Sequence, residues 1–342
     1  MKLAKPLYTA EGQILLNAGT ELTERYVLRL KDLDVTYVYI EDDLTQDIDI
    51  PDIISEKVRI EAVCDAKVLM DKVRLGKDID ASAAKMVANA LVDELCRNHG
   101  ALVNFIDMRA RNDYLFGHSV NVCILAIMTG ISMGYDELKL RDLGVGALLH
   151  DVGKLQVDQE IINKNGRLTQ DEIQDIKKHP LFGFDILRKN PDISLSSAHC
   201  AFQHHERYDG SGYPRGLAGK DIFQNAHIVA IADVFDALTA DNTYRPAVSV
   251  YEALSIITKA AGTYFDEEII KFFTDNIAVY PIGTVVRLNT NQIGVVVDLS
   301  REHKSRPVIR IIADASQRRV QAVEEIDLSK NLRIYIADVV ER

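Results

Sequence analysis

The sequence predicts a mainly α protein, with a helical bundle at its centre flanked by a small mixed α/β unit and a small β-rich unit. Two observations lead to this fold class. Apolar residues recur every three or four positions through the middle of the chain, which is the spacing of helices that bury one face. Near the C-terminus this pattern gives way to short β-branched runs separated by turn residues, which is typical of strands. We place the boundaries of the three units at residues 1–50, 51–279 and 280–342.

The first 50 residues carry signals for short elements only. A short apolar run lies at residues 14–16, and the pattern at residues 23–33 predicts a helix. A strand is predicted at residues 35–40. Pro51 then closes an acidic stretch, which we interpret as a linker to the helical segment.

The helix and strand signals are sharper further along the chain. Thr169 and Glu172 have the spacing of a capping box, in which each side chain bonds the backbone of the other residue, so a helix is predicted to begin there. Apolar stripes at residues 58–69, 120–131 and 228–238 predict further helices. Beyond Pro281, strands are predicted at residues 285–288, 294–297, 308–312 and 332–336.

Composition excludes several classes of protein. A net charge of −11 argues against a polymeric nucleic acid as the main partner. The chain lacks an uninterrupted apolar run of about 18 residues, so no membrane insertion is predicted. The cysteines fall in helix-like segments without C-x-x-C spacing, which predicts buried, reduced thiols and a cytoplasmic location. They are Cys64, Cys96, Cys123 and Cys200.

The amphipathic helices between residues 52 and 98 leave two interpretations open. They could pair across a two-fold axis in a homodimer. Packing within one core explains the same pattern equally well.

Histidines and aspartates recur through the middle segment at intervals of about 25 to 32 residues. Each interval is about one helix plus its connection, so successive helices of a bundle could deliver one ligand group each to a shared centre. The number of these groups exceeds the four that tetrahedral zinc needs, and it suits two octahedral ions that share a bridging carboxylate. The candidate ligands are His118, His150, Asp151, His179, His204, His205 and Asp233.

These candidates differ in how specific they are individually. A lone histidine such as His179, before Pro180, is ordinarily a solvated or capping residue. Asp233 lies between apolar neighbours on a predicted helix, and a buried carboxylate needs a partner such as a metal. Asp236 follows it by about one turn and is interpreted either as a helix-terminus residue or as a group that supports the ligands.

Two motifs resemble a known family. Residues 150–154, His-Asp-Val-Gly-Lys, resemble the signature of HD phosphohydrolases. Residues 204–214, His-His-Glu-Arg-Tyr-Asp-Gly-Ser-Gly-Tyr-Pro, closely resemble the extended motif of the HD-GYP family. Segments 163–169, 178–180 and 230–238 fit the same family in the same order, so the resemblance covers about residues 100–275.

The resemblance implies an all-helical HD-type bundle that hydrolyses the second messenger cyclic di-GMP. The expected products are pGpG and sometimes GMP. Two divalent transition metals are implied, with iron or manganese expected, and a hydroxide held between them attacks the phosphorus.

Carried over by position, the resemblance also assigns roles to single residues. One metal would bind His118, His150, Asp151 and Asp233. The second would bind Asp151, His179, His204 and His205, so that Asp151 bridges the two. Lys154 would neutralise a phosphate oxygen during catalysis. The implied substrate contacts come from Lys154, Arg207, Asp209, Gly212, Tyr213, Pro214 and Arg245.

The glycine-rich loop also has a physical interpretation. Gly210 and Gly212 permit positive φ and the close approach of a ligand, and Pro214 stiffens the segment. Tyr213 either stacks on a base or packs beneath the loop, and we favour packing because a rigid loop needs an anchor.

The chain departs from the family pattern at two positions. Tyr114 stands where some members have a glutamate that holds a third metal, which predicts a two-metal site. Asn242 stands where an arginine often contacts substrate phosphate, although Arg245 is retained nearby and could contact phosphate instead. The substitution leaves two alternatives: an HD hydrolase of another cyclic dinucleotide, or a weakly active module that senses cyclic di-GMP or docks a signalling protein.

Overall fold

The computed structural model describes residues 1–8, 14–33, 35, 38, 40–41, 47–48, 53–98, 114–164, 166–240, 247–299, 303–320 and 322–340. The central part of the chain is helical and the C-terminal part is an antiparallel sheet, so the predicted fold class is confirmed. The described residues form a large apolar core in the helical part and two smaller ones, one in each flanking unit.

The N-terminal unit consists of short strands and one helix. Antiparallel pairs join β1 to β4 and β2 to β3. The helix begins after Thr23, whose side chain accepts a hydrogen bond from the backbone N–H of Tyr26, as predicted. Of the strand predicted at 35–40, residues 36, 37 and 39 lie outside the described residues, and residue 40 belongs to a described strand. The elements are β1 (Lys2–Leu3), β2 (Leu7–Tyr8), β3 (Ile14–Leu16), α1 (Glu24–Asp32) and β4 (Ile40–Glu41).

The central helices follow the predicted apolar stripes. The capping box is confirmed, because Thr169 and Glu172 each accept a hydrogen bond from the other's backbone N–H. The helices are α2 (Glu56–Arg74), α3 (Ala81–Arg97), α4 (Tyr114–Ser132), α5 (Glu137–Leu148), α6 (Gln159–Ile162), α7 (Gln170–Ile176), α8 (His179–Leu187), α9 (Leu195–Gln203), α10 (Gln224–Thr239), α11 (Val250–Lys259) and α12 (Glu267–Thr274), with a 3₁₀ turn at Val152–Gln156.

Helix α4 lies at the centre of the bundle, in contact with α2, α3, α5, α10 and α12. Its segment Leu115–Ser132 is long and apolar enough to cross a membrane, but 83% of that segment is buried inside the protein. A helix that is apolar on all sides is expected at the core of a bundle, where neighbouring helices cover each face.

The predicted cysteine environments are confirmed in part. All four cysteines lie in helices and none of them forms a disulfide. Cys123 and Cys200 are buried, and burial raises the pKa of both thiols. Cys64 on α2 and Cys96 on α3 are only half-buried.

The C-terminal unit is a five-stranded antiparallel sheet in the order β8-β7-β6-β5-β9. Three of the four predicted strands are confirmed, but the strand predicted at 332–336 begins only at its last residue. Asn289 explains this shift, because its side chain bonds the carbonyl of Arg333 and the N–H of Tyr335 and holds that segment in a turn. The strands are β5 (Val285–Leu288), β6 (Ile293–Asp298), β7 (Val308–Ala313), β8 (Glu325–Asp327) and β9 (Ile336–Val339).

Two basic side chains of this sheet unit reach the rest of the molecule. Arg310 is 8% exposed and pairs with Glu325 of β8 and with Asp47, which lies before the helical bundle. Lys304 donates to the side chain and to the carbonyl of Asp275, at the end of α12. The sheet is therefore attached both to the N-terminal region and to the last helix.

We expect Arg310→Ala to lower the free energy of unfolding by about 1–2 kcal/mol. The loss is moderate because the carboxylates left behind, on Asp47 and Glu325, are exposed enough to be solvated by water. Urea unfolding of the full chain measures it. The matched control is Arg318→Ala, since Arg318 is 79% exposed and its described ion pair is with the nearby Asp314, four positions away at 3.1 Å. An equal effect of both substitutions would show that the Arg310 contacts add nothing.

Candidate metal centre

All seven predicted ligands meet at one place in the bundle. Five different segments deliver them. His118 lies near the start of α4, and His150 and Asp151 follow the end of α5. His179 opens α8, His204 and His205 follow α9, and Asp233 lies in the middle of α10. Apart from His205 and Asp233, which are half-buried, these residues are buried.

Asp151 is at the centre of the cluster, and its two carboxylate oxygens face different histidines. Oδ1 lies 3.4 Å from Nε2 of His179 and 3.6 Å from Nε2 of His204. Oδ2 lies 3.5 Å from Nε2 of His150 and 3.8 Å from Nε2 of His118. A carboxylate in this position can offer one oxygen to each of two ions.

The remaining ligands complete the two sides. Asp233 Oδ1 lies 3.1 Å from Nε2 of His118 and 3.9 Å from Nε2 of His150. On the other side, ligand atoms of His205 lie within 4.8 Å of those of Asp151, His179 and His204. Asp151 therefore belongs to two groups of candidate ligands, and these groups adjoin, since ligand atoms of His150, His204 and Asp233 also lie within 4.8 Å of one another.

The hydrogen bonds of the histidine rings fit metal binding. The Nδ1 atom of each of four rings is already engaged, which leaves Nε2 directed at the cluster. The Nδ1 partners are Asp236 Oδ2 for His118, and backbone carbonyls for the other three: Ala147 for His150, Ile176 for His179, and Cys200 and Ala201 for His204. Such partners fix the tautomer and orientation of metal-binding histidines.

Two atoms at the centre of the cluster have no hydrogen-bond partner among the described residues. They are Nε2 of His150 and Oδ1 of Asp151, and both are buried. Leaving a polar atom buried without a partner costs about 1–3 kcal/mol. Since the free atoms are a neutral imidazole nitrogen and a carboxylate oxygen, the donor set fits divalent transition metals.

The pKa values of His150, His179 and Asp151 favour the metal-binding protonation states, whereas that of His118 favours a charged ring in the absence of a metal. Burial lowers the pKa of His150 to about 4 and that of His179 to about 3, so both rings are neutral near pH 7. Burial alone would raise the pKa of Asp151, but the Lys154 ammonium and the nearby histidines hold it well below its usual value. Burial likewise disfavours the charged form of His118, but Asp233 and Asp236 outweigh it and raise the pKa of His118 to about 9.

Lys154 lies on the 3₁₀ turn that follows Asp151, not on an α-helix. Its Nζ atom is 2.5 Å from Asp151 Oδ2, and its side chain is 28% exposed. Burial disfavours its charged form, but Asp151 outweighs this effect and the pKa of Lys154 is raised. The ammonium is thus charged, held at the cluster and still accessible from solvent.

The glycine-rich loop is built around its own backbone contacts. Gly210 has a φ of 80°, as predicted, but Gly212 is not in the positive-φ region. A Cβ atom on Gly212 would lie 2.4 Å from the N atom of Arg207 and 2.5 Å from the carbonyl oxygen of His205. Glycine is therefore needed there for close packing within the loop, which differs from the predicted close approach of a ligand.

Tyr213 packs against the cluster. Its ring stacks on His205 with centroids 4.8 Å apart, and Lys177 Nζ lies 5.1 Å from the centre of the same ring. The backbone N–H of Tyr213 also donates to the carbonyl of His205. Tyr213 thus holds the loop against a candidate ligand, and Pro214 follows it at the exposed tip.

The other predicted substrate contacts are less well placed. The Arg207 guanidinium lies 3.9 Å from the centre of the Tyr264 ring, and the Asp209 carboxylate accepts from the N–H of Ser211. Both side chains are thus engaged within the loop region. Arg245 and Asn242 lie outside the described residues, as does the side chain of Tyr114.

Glu206 is a further residue of the loop, and no role is predicted for it in the sequence analysis. It is 3% exposed, and its two carboxylate oxygens accept from the N–H groups of Arg215 and Leu217 at 2.8 and 2.9 Å. These bonds close the loop behind Pro214. A signal was present in the sequence, since a charged residue directly after two candidate ligands needs an explanation.

We expect Glu206→Gln to loosen the loop, because an amide offers only one oxygen and places an N–H₂ group against a backbone N–H. Hydrogen bonds to charged groups contribute about 1.5–3 kcal/mol, so exchange of the Arg215 and Leu217 amides should accelerate by roughly 10- to 100-fold. Hydrogen exchange resolved to single residues measures this. Glu267→Gln, at a side chain 68% exposed, is the control. Unchanged protection of both amides would contradict the anchoring role.

Comparison with known proteins agrees with this geometry. The HD domain family matches residues 103–269, and a KOW domain associated with HD domains matches residues 285–342. A cyclic di-GMP phosphodiesterase of Pseudomonas aeruginosa is 30% identical over 257 residues, which is 75% of this chain and 62% of that protein. A 3′3′-cGAMP-specific phosphodiesterase of Vibrio cholerae is 36% identical over 46% of this chain and 34% of that protein. The chain thus spans less than two thirds of the length of either relative.

A solved structure has the same fold. It is an HDG“Y”P protein of Bdellovibrio bacteriovorus, with a TM-score of 0.54 and 20% identity over 80% of this chain and 94% of that one. The family match, the relatives and the two motifs at residues 150–154 and 204–214 together show that residues 103–269 are an HD domain, as the resemblance to the HD-GYP family predicts.

Proposed function

We propose that the protein is a metal-dependent phosphodiesterase that hydrolyses cyclic di-GMP to pGpG, with GMP as the alternative end product. The observation that carries this proposal is the central carboxylate of Asp151, whose two oxygens face separate histidine pairs. The Pseudomonas relative supports the choice of substrate.

In this proposal, His118, His150 and Asp233 hold one metal, and His179, His204 and His205 hold the other, with Asp151 shared. A pair of divalent metals supplies an activated water near neutral pH and positive charge for the phosphate. Iron and manganese suit this donor set, because both accept mixed imidazole and carboxylate ligands in octahedral geometry.

The chain's own residues supply position and charge. Backbone carbonyls and Asp236 hold the imidazole rings, so the ligands are oriented before substrate arrives. Lys154 presents an ammonium beside Asp151, where it can neutralise a non-bridging phosphate oxygen. Tyr213 and Pro214 form the rigid edge of the site.

The proposal extends to the whole chain. We infer three units at residues 1–50, 51–279 and 280–342, in agreement with the three apolar cores of the described residues. We place the enzyme in the cytoplasm, acting on a small second messenger. We also predict, from the sequence, a homodimer and a signalling-protein partner.

A second substrate is supported by one observation. The relative from Vibrio cholerae is named as specific for 3′3′-cGAMP. Together with Asn242 in place of a family arginine, this favours a mixed cyclic dinucleotide as the alternative substrate.

The test is anaerobic purification, metal analysis, and chromatography of cyclic di-GMP and 3′3′-cGAMP incubated with the protein and with its Asp151→Ala variant. Two metals per chain and hydrolysis of cyclic di-GMP, lost in the variant, are expected. Preferential cleavage of 3′3′-cGAMP would establish the alternative substrate. A metal-loaded protein that binds cyclic di-GMP without cleaving it would make the chain a receptor and overturn the proposed activity.

A further inference from the structure

A chain of polar contacts runs from the metal cluster to helix α2, which lies before the matched HD segment. It starts at His118, whose Nδ1 atom is 2.6 Å from Asp236 Oδ2. The other oxygen of Asp236 accepts from Nδ2 of Asn121 at 3.0 Å. Oδ1 of Asn121 in turn accepts from Nη2 of Arg59 at 3.2 Å. Three contacts thus connect a candidate ligand to a guanidinium on α2.

Burial makes the inner part of this chain important. Asp236 is fully buried and Asn121 is 1% exposed, so water cannot replace a contact that is lost. A buried carboxylate without its hydrogen-bond donors costs several kcal/mol. His118 and Asn121 are two of the partners of Asp236, and both lie on α4, one turn apart.

The orientation of the Asn121 amide depends on Arg59. Its N–H₂ group must face Asp236, because the amide oxygen, in the opposite orientation, would be repelled by the carboxylate oxygen of Asp236. This orientation leaves the amide oxygen pointing away from the cluster, where it accepts from the guanidinium. Arg59 therefore fixes the amide in the state that donates to Asp236.

Helix α2 is packed where it can sustain this contact. It lies against α3, α4 and the 3₁₀ turn Val152–Gln156 that follows Asp151. Ala62 and Ala66, one and two turns after Arg59, are buried on the same side of α2. Small side chains there allow α2 to approach α4 closely.

We propose that Arg59 and Asn121 are positioning residues for the metal that His118 binds, and that α2 is thereby part of the metal centre. They act through Asp236, which holds the His118 ring by its Nδ1 atom. The inference rests on the proposed two-metal function. According to this inference, helix α2 also controls metal occupancy, although it lies outside the matched HD segment and directly after the N-terminal unit.

The test measures Mn²⁺ binding to the full chain by the electron paramagnetic resonance signal of free Mn²⁺, with no substrate present. We expect Arg59→Gln and Asn121→Ala each to weaken one of two Mn²⁺ sites by roughly 10-fold, the size of effect that supporting contacts have on metal affinity. The other site should keep its wild-type affinity, because backbone carbonyls hold the rings of His179 and His204 and the Tyr213 ring stacks on His205.

The double variant tests whether Arg59 acts through Asn121. If it does, Arg59→Gln adds no further loss once Asn121→Ala is present, since interacting residues are not additive. Arg59→Lys should recover part of the affinity, because an ammonium can also donate to the amide oxygen. Lys57→Gln is the control, on the same helix with a side chain that is 82% exposed.

Three results would overturn the inference. They are wild-type Mn²⁺ binding by Arg59→Gln, fully additive losses in the double variant, and an equal weakening of both sites together with a lower Tm of the metal-free protein. A wild-type chain that binds two Mn²⁺ ions but hydrolyses no cyclic dinucleotide would overturn the proposed function alone. A wild-type chain that binds no Mn²⁺ would overturn both.

Discussion

Replacing Asp151 with asparagine is expected to remove both metals from the protein and to abolish phosphodiester hydrolysis. Asparagine keeps the volume of the side chain but has one oxygen instead of two and carries no charge. It therefore cannot bridge, and Lys154 loses the carboxylate that its ammonium pairs with at 2.5 Å. The unpaired ammonium would then repel the metals. Each of these effects weakens both sites.

We expect the affinity for each metal to fall by more than about 100-fold, because loss of a supporting contact alone lowers metal affinity by roughly 10- to 100-fold. Chelator competition on the full chain, followed by elemental analysis, measures it. The control is Asp185→Asn on α8, where the aspartate is 38% exposed and pairs with Arg188. Retention of two tightly bound metals in Asp151→Asn would rule out a bridging role for Asp151.

The second large effect is expected from Gly153→Ala. A Cβ atom at this position would lie 2.0 Å from the carbonyl oxygen of His179 and 2.5 Å from the backbone N of Gly183. Both obstacles are backbone atoms of α8, so no rotamer change can relieve the overlap. The start of α8 must move away from the 3₁₀ turn, and His179 moves with it.

We expect Gly153→Ala to cost about 3 kcal/mol of unfolding free energy, at the upper end for overpacking, and to weaken the metal site that includes His179. Urea unfolding and Mn²⁺ titration measure the two effects. The control is Gly134→Ala, which replaces a glycine without steric overlap. Gly134 has a φ of 75° and open space around its Cβ position. Equal effects of the two variants on unfolding free energy and Mn²⁺ affinity would show that glycine is not needed at position 153 for close packing on α8.

The candidate ligands could be predicted because histidine and aspartate are residue types that bind metals. Neighbouring histidines and an aspartate in an apolar helix are uncommon unless they bind something, and the spacing of the ligands matches the helices that carry them. The capping box at Thr169 was predictable for the same reason, since all its atoms belong to residues 169–172.

The supporting residues could not be predicted, because their roles depend on contacts far apart in the chain. Asn121 meets Asp236 across 115 positions, and Arg59 meets Asn121 across 62. The ring partners of three histidines are backbone carbonyls, which no side-chain pattern reveals. Strand β8 was missed because its three residues carry charged ends and too little β-branched character.

The contact between Asp47 and Arg310 has a consequence for the order of folding. The two residues are 263 positions apart. Closing a flexible loop of that length costs about 5 kcal/mol or more in chain entropy, which exceeds what one partly exposed ion pair returns. The contact can form only after the folded helices hold both ends in place. A pair of fluorophores attached near Asp47 and Arg310 would therefore report completion of the bundle, since the two labels come together only after the earlier steps of folding.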